Sequence, residues 1–352
     1  WYQRRVRASQ DSQIQNKCLI LQNTDYESGE FRYIDDSLKF VVALQLIYVS
    51  RELFKDINHL TIVIMPNVEI VCEEAFSGTN IKYCYFPKLK IILKRAFYNC
   101  RIDSITLENF PTLEIVDEEG FANSSVKMID SLSIKEIGEA GFFNCQSLSK
   151  ISLNSLVRVK DFGFSECNIE SINLPNLAFV GKRGFYKCPL KEIILPHLYF
   201  VGDSGFEQSL IVQDKPFQIA QRFVIYLANL KTIGTRAFVG LPITSLALPN
   251  LKNVGEYVFY NCKCLKDFSA EKLKKIGLSC FTLCYNLSAI YIPHLQIKDF
   301  ICLKSCGKCP SCSKKQFILQ NNQIYGKQNV QTIRTRDRQN CLLNNQKQSL
   351  KT

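Results

Sequence analysis

The chain has 352 residues, 46% of them hydrophobic, which is enough apolar material for a sizeable core and excludes a wholly disordered protein. Of the formal charge of +12, residues 313–352 carry +7 and residues 1–17 carry +3, which leaves +2 for residues 18–312. A nearly neutral body lacks the basic stripe of a nucleic-acid groove, so no nucleic-acid partner is expected. No apolar run approaches the roughly 18 residues that cross a bilayer.

Residues 1–37 form an N-terminal flank expected to act as a cap. Residues 38–312 are periodic. A Phe recurs at Phe54, Phe76, Phe97, Phe121, Phe142, Phe164, Phe185 and Phe206, then at Phe238, Phe259 and Phe281, and Leu303 continues the series. The separations run from 21 to 24 residues, apart from 32 between Phe206 and Phe238. Self-similarity at this period indicates a solenoid whose coils bury their faces against one another.

Two clear copies are IESINLPNLAFVGKRGFYKC at 169–188 and ITSLALPNLKNVGEYVFYNC at 243–262. The first half of each copy ends in period-two alternation, as at Leu190, Ile193 and Leu195, which predicts a short strand. Pro66, Pro87, Pro175, Pro196, Pro249 and Pro293 follow the strands and end the ladder. Gly138, Gly181, Gly202, Gly234, Gly255 and Gly277 are expected to open a second bend through unusual backbone angles. Two copies depart from the pattern: residues 108–110 are an insertion before Pro111, and the long gap before Phe238 places a surface loop within 210–222. After residue 312 the chain is rich in Gln, Asn and Lys without apolar periodicity, and residues 313–352 read as a polar basic tail, disordered in expectation.

This pattern resembles the BspA-like (Treponema pallidum type) leucine-rich repeats over about 38–306. Ala75–Phe76, Ala96–Phe97 and Ala237–Phe238 match that family's Ala-Phe pair, and Gly120, Gly163, Gly184 and Gly205 replace the Ala elsewhere. The resemblance implies a leucine-rich-repeat solenoid, β-rich and of α/β type: a right-handed arc of about twelve coils. It places the parallel β-sheet on the concave face and a helical turn carrying the Phe on the convex side. It also implies a non-enzymatic, protein-binding chain of the surface or adhesion type, with an intracellular scaffold built from the same repeats as the alternative. The cell surface or secretion is favoured over the cytoplasm.

No catalytic constellation emerges from the residues. His197 and His294 occupy the slot after the strand Pro, in coils four apart, and His59 has no counterpart in other coils. Glu73, Glu74, Glu118 and Glu119 read as solvated turn residues. No cofactor is expected. The cysteines are more regular: Cys100, Cys145, Cys167, Cys188, Cys262 and Cys284 each lie three residues after the repeat Phe. Small and weakly donating, they read as a structural thiol ladder, buried and unpaired. Cys302, Cys306, Cys309 and Cys312 cluster at the end of the repeats as ligands of a metal such as zinc or as capping disulfides. Asn123-Ser124-Ser125 and Asn286-Leu287-Ser288 are glycosylation sequons.

The candidate partner surface follows from strand alternation. Phe40, Val42, Ile62, Ile64, Tyr83 and Tyr85 should face outward together, after which Ser104 and Thr106 turn the row polar. Such an apolar patch marks a contact with a protein ligand, unless residues 18–36 fold back over it as a cap.

Overall fold

In the computed structural model the described residues are 12–28, 30–31, 37–208, 223–295, 318–320 and 323–325. Two compact units divide the chain, Trp1–Tyr226 and Leu227–Thr352. The loop expected at 210–222 and the four cysteines from Cys302 to Cys312 lie outside the described residues.

Unit one opens with β1 (Ser12–Gln15) and β2 (Cys18–Leu21). Each following coil carries a first strand of two to four residues and a second strand of two. These are β3 (Phe40–Ala43) and β4 (Tyr48–Val49), β5 (Ile62–Ile64) and β6 (Ile70–Val71), β7 (Tyr83–Tyr85) and β8 (Ile91–Ile92), then β9 (Ser104–Ile105) and β10 (Ile115–Val116). The series continues with β11 (Met128–Ser131) and β12 (Glu136–Ile137), β13 (Lys150–Leu153) and β14 (Arg158–Val159), β15 (Ser171–Asn173) and β16 (Phe179–Val180), β17 (Glu192–Ile194) and β18 (Phe200–Val201). It closes on β19 (Val224–Tyr226).

The first strands pair in parallel, coil to coil, in three blocks: β2-β3-β5-β7 with β1 antiparallel at its outer edge, then β9-β11-β13, then β15-β17-β19. The second strands pair in parallel without a break from β4 to β18, a second sheet that the sequence pattern did not announce. The break after β7 falls at the insertion 108–110. There Thr106 N–H donates to Asn109 Oδ1 (2.7 Å), and Phe110 N–H donates to the Thr106 carbonyl (2.9 Å). The insertion also supplies a core residue, because Phe110 is fully buried and stacks on Phe86 at 5.8 Å.

Unit two repeats the plan with β20 (Thr232–Ile233), β21 (Ser245–Ala247), β22 (Asn253–Val254), β23 (Asp267–Ser269), β24 (Lys275–Ile276) and β25 (Ala289–Tyr291). Strands β21-β23-β25 and β20-β22-β24 are parallel ladders. Within the segment read from sequence as a polar tail, β26 (Ile318–Gln320) and β27 (Gln323–Tyr325) form an antiparallel hairpin, and β27 pairs antiparallel with β25.

The core of unit one is a column of rings. Phe31, Phe54, Phe76, Phe97, Phe121, Phe142, Phe164, Phe185 and Phe206 stack in succession with centroids 5.1–5.6 Å apart and planes within 7–17°. All are buried to 1% exposure or less. Offset stacking of this kind adds to the stabilisation from area burial. Phe31 belongs to the flank rather than to the recognised repeats, so β2 and Phe31 supply the strand and ring of a first, partial coil.

The bend that carries the Phe is a run of turns, and no helix occurs among the described residues. The helical turn implied by the resemblance is therefore absent, and the backbone shows why. The residue two before the Phe and the residue two after it are left-handed in coil after coil: Glu74 and Gly78, Arg95 and Asn99, Glu119 and Asn123, Ala140 and Asn144. Left-handed residues at four-residue spacing rule out a continuous right-handed helix. In place of helical bonds, N–H groups alternate between their own bend and the next coil. Phe76 N–H donates to the Ala96 carbonyl of the next coil (2.8 Å), while Ser77 N–H donates to Glu74 of its own bend (3.1 Å).

The glycines need a correction as well. Gly138, Gly181, Gly202, Gly234, Gly255 and Gly277 have no left-handed φ; among the described glycines only Gly78 and Gly240 do. Their role is close approach between coils. A Cβ on Gly202 would lie 2.7 Å from the backbone C of Gly181, and one on Gly138 would lie 2.6 Å from that of Asp117. Cys72, Leu93, Asp117 and Lys160 fill the same slot in other coils, so the tight contact is local.

Candidate functional site

The register of the first block builds an apolar face. Cys18, Phe40, Ile62 and Tyr83 are in-register partners, as are Ile20, Val42, Ile64 and Tyr85. Their neighbours Leu19, Val41, Val63 and Cys84 point inward and are buried to 1% or less. Strand alternation thus leaves the first set outward. Tyr83 is 46% exposed, Ile20 38%, Phe40 36% and Tyr85 36%, while Val42, Ile62 and Ile64 are half-buried between them.

The six residues singled out from the sequence lie on this one face, and Ile20 extends it. The described part of the expected cap does not fold back over the face: β2 continues the sheet at its edge, and Phe31 enters the ring column, while residues 29 and 32–36 lie outside the described residues. A second apolar row was missed. Tyr48, Ile70, Ile91 and Ile115 are in register on the second sheet, with exposed Leu44 and Ile47 beside Tyr48. Its sequence signal is weak, because a two-residue strand is too short to show a period.

The thiols occupy one position of the bend. Cys100, Cys145, Cys167 and Cys188 are unpaired and buried, and each Sγ–H donates to the carbonyl of the preceding coil's Phe. The acceptors are Phe76, Phe121, Phe142 and Phe164, at 2.9–3.1 Å. In unit two, Cys262 and Cys284 donate to Phe238 (3.2 Å) and Phe259 (3.0 Å). Each thiol thus gives a buried carbonyl a partner that a Cβ methyl would not. Burial disfavours the thiolate and pushes Cys100, Cys188 and Cys262 up to about 12. Burial, reinforced by the hydrogen bond with Cys145, also raises Cys167. Thiols held protonated in this way are poor nucleophiles and poor metal ligands.

The other polar residues serve the stack. His197 Nδ1 lies 2.5 Å from the Pro175 carbonyl of the preceding coil, and His59 and His294 are exposed. The bend carboxylates read from sequence as solvated are mostly paired across coils: Glu118 with Lys94 (2.7 Å), Glu119 with Arg95, and Glu74 with Lys55, whose hydrogen bond lowers the Glu74 pKa. An open polar trough beside the bends is lined by Asn58, Asn80, Asn99, Arg101, Asn123 and Asn144, among others. It contains the first sequon residue, Asn123, whose Oδ1 accepts from Asn144 Nδ2 (2.6 Å). Among the described residues no group of three or more His, Cys, Asp or Glu side chains is arranged to hold a metal, and no helix is long and apolar enough to cross a membrane.

Parallel coils, a continuous ring column and a thiol at a fixed bend position define a β-solenoid repeat protein. More narrowly, the chain belongs to the BspA type leucine-rich repeat family. The model of that region, which spans six repeat copies, matches residues 47–159, 135–212, 179–309 and 217–343. Among solved structures, the chain is similar to a leucine-rich repeat protein from Eubacterium ventriosum. The identity is 17%, over 83% of this chain and 79% of that one, with a TM-score of 0.43. It is also similar to the T. pallidum leucine rich repeat protein, at 15% identity over 78% of this chain and 86% of that one, with a TM-score of 0.25. Similarity to the pneumococcal vaccine antigen PcpA is at 14% identity over 82% and 88% of the two chains, with a TM-score of 0.31. None of the curated protein sequences matches the chain.

Proposed function

We propose that this chain is a non-enzymatic, protein-binding repeat protein of the surface or adhesion type, and that it holds its protein partner on the face of β3, β5 and β7. Membership of the repeat family supports the general reading. The exposure of Phe40, Tyr83 and Tyr85 on one sheet face is the observation that carries the specific one. Tyr at an interface centre is favoured for binding energy because it offers a large rigid contact with a polar tip. In this reading the six bend thiols hold the stack together and take no part in binding. No nucleic acid, cofactor or metal is needed.

Two measurements test the proposal. Protease shaving of intact cells should remove the chain, whereas an intracellular scaffold would survive it. Tyr83→Ser with Tyr85→Ser should weaken partner capture by tenfold or more, the scale of interface hot spots, and should leave the melting temperature nearly unchanged. A large loss of stability with undiminished capture would remove the face from consideration.

A further inference from the structure

We infer that the partner of the β3–β5–β7 face is an acidic polypeptide that places apolar side chains on the aromatic face and carboxylates along its lysine margin. The inference rests on the assignment of that face as the binding surface. Its own evidence is the distribution of charge.

Elsewhere in unit one, most lysines near the sheets pair with an acid of the adjacent coil, exposed Lys150 of β13 being an exception. Lys90 meets Glu69 at 2.8 Å, Lys135 meets Glu114 at 2.7 Å, Lys160 meets Glu136 at 2.7 Å, and Lys191 meets Glu170 at 2.7 Å. Beside the apolar face the pattern fails. Lys17, Lys39 and Lys82 are exposed, and their ammonium groups have no carboxylate partner among the described residues. They stand in one row at the starts of the strands. Lys39 N–H donates to the Lys17 carbonyl, Thr61 N–H to that of Lys39, and Lys82 N–H to that of Thr61, each at 2.9 Å.

The strand segments 17–23, 39–45, 61–67 and 82–88 contain Lys17, Lys39, Lys82 and Lys88 and no Asp or Glu. The next segment, 103–109, reverses this with Asp103 and Glu108 and no Lys or Arg. Lys127 of the coil after it is again paired, with Asp103 at 2.9 Å. The apolar row, the acid-free margin and the sheet block therefore all end at the same place, between β7 and β9.

An unneutralised row of lysines beside a surface that must shed water calls for carboxylates on the partner. Such complementarity steers encounter and excludes wrong partners. A polypeptide fits better than an anionic bilayer. Tyr83, the most exposed outward strand residue of the face, is only 46% exposed, and Ile62 and Ile64 sit half-buried between their neighbours. No outward strand residue of the face exceeds that exposure, and a face with two phenol hydroxyls suits a contacting side-chain layer.

The test is selection of a displayed random-peptide library on the full chain, in parallel with Lys17→Ser/Lys39→Ser/Lys82→Ser and Tyr83→Ser/Tyr85→Ser variants. Vesicles of phosphatidylserine and phosphatidylcholine serve as the competing probe. The expected result is enrichment of peptides combining Asp or Glu with Leu, Ile or aromatic residues. Their affinity should fall about tenfold in the triple lysine variant, the combined effect of three exposed pairs, and should weaken with added salt. Apolar peptides with no acidic bias, lost only in the tyrosine variant, would overturn the inference and leave the face standing. Peptides insensitive to the tyrosine changes would remove the face itself. Lysine-dependent vesicle binding without acidic peptides would replace the polypeptide with a membrane surface.

Discussion

Removing one ring from the middle of the column tests the account of what holds unit one together. Phe142 is fully buried, 5.2 Å from Phe121 and 5.4 Å from Phe164, with its plane within 8° of both. Phe→Ala in a packed core costs about 3–5 kcal/mol. Two lost stacking contacts, each about 0.5–1.5 kcal/mol, place Phe142→Ala at the upper end of that range, near 5 kcal/mol. Phe142→Leu keeps most of the volume and should cost about 1.5 kcal/mol. The loss should also be local, because each coil contacts only its neighbours. Native-state hydrogen exchange reads this directly. The Phe121 amide, bonded to Gly141, and the Asn144 amide, bonded to Ser165, should lose protection, while the Phe54 amide, bonded to Ala75 several coils away, should keep it. A destabilisation below about 1.5 kcal/mol for the alanine variant, or an equal loss of protection at all three amides, would refute the ring column as the principal tie between coils.

Two further predictions concern the bends. Gly202→Ala forces a Cβ against the backbone of Gly181 and Lys182 at 2.7 Å and should cost about 1–3 kcal/mol. Gly205→Ala should be milder, because Ala75, Ala96 and Ala237 already occupy its slot; thermal melts in the reverse order would contradict close approach as the role of Gly202. The thiols give a pH dependence with a defined sign. Burial raises Cys100, Cys188 and Cys262 from 9.0 to about 12, so the folded state holds their protons more tightly than the unfolded chain does. Their stabilisation is complete below about pH 9 and is lost as pH rises toward 12. Denaturation midpoints should fall over that range, and Cys188→Ser should remove part of the slope; an unchanged slope would show that the thiol does not titrate with unfolding.

The period, the strand positions and the ring of each coil were legible in the sequence because they depend on inward-facing residues, which recur at fixed spacing. Phe31 was equally readable, lying 23 residues before Phe54, but the flank has no Pro after its strand and has Glu27 in the slot that Gly fills in later coils. The left-handed positions left a partial trace, since Asn99, Asn123, Asn144, Asn261, Gly78 and Gly240 all sit two residues after the Phe. Asn and Gly are the residues that tolerate that conformation best. Their partners two residues before the Phe, such as Glu74, Arg95 and Ala140, carry no such signature, and so the helical turn was a natural but mistaken expectation. The glycines of the second bend were assigned the wrong reason because proximity to the preceding coil cannot be read from one repeat alone. The outward face was found by alternation. Its lysine margin was not, because pairing depends on which acids the neighbouring coils bring alongside.

Because each bend from Phe54 to Phe185 passes its backbone hydrogen bonds to the bend that follows, the identity of that follower matters little to the chain. Phe121 donates to Gly141, Phe142 to Gly163 and Phe164 to Gly184, each at 2.8 Å, with the same geometry at each step. A recombination event that excises or duplicates one whole period leaves every donor facing an equivalent acceptor and every ring facing another ring. An event that removes half a period strands both. Such a chain can therefore lengthen or shorten over evolutionary time in steps of one coil, and each step would carry the apolar face nearer to, or farther from, whatever adjoins the ends of the stack.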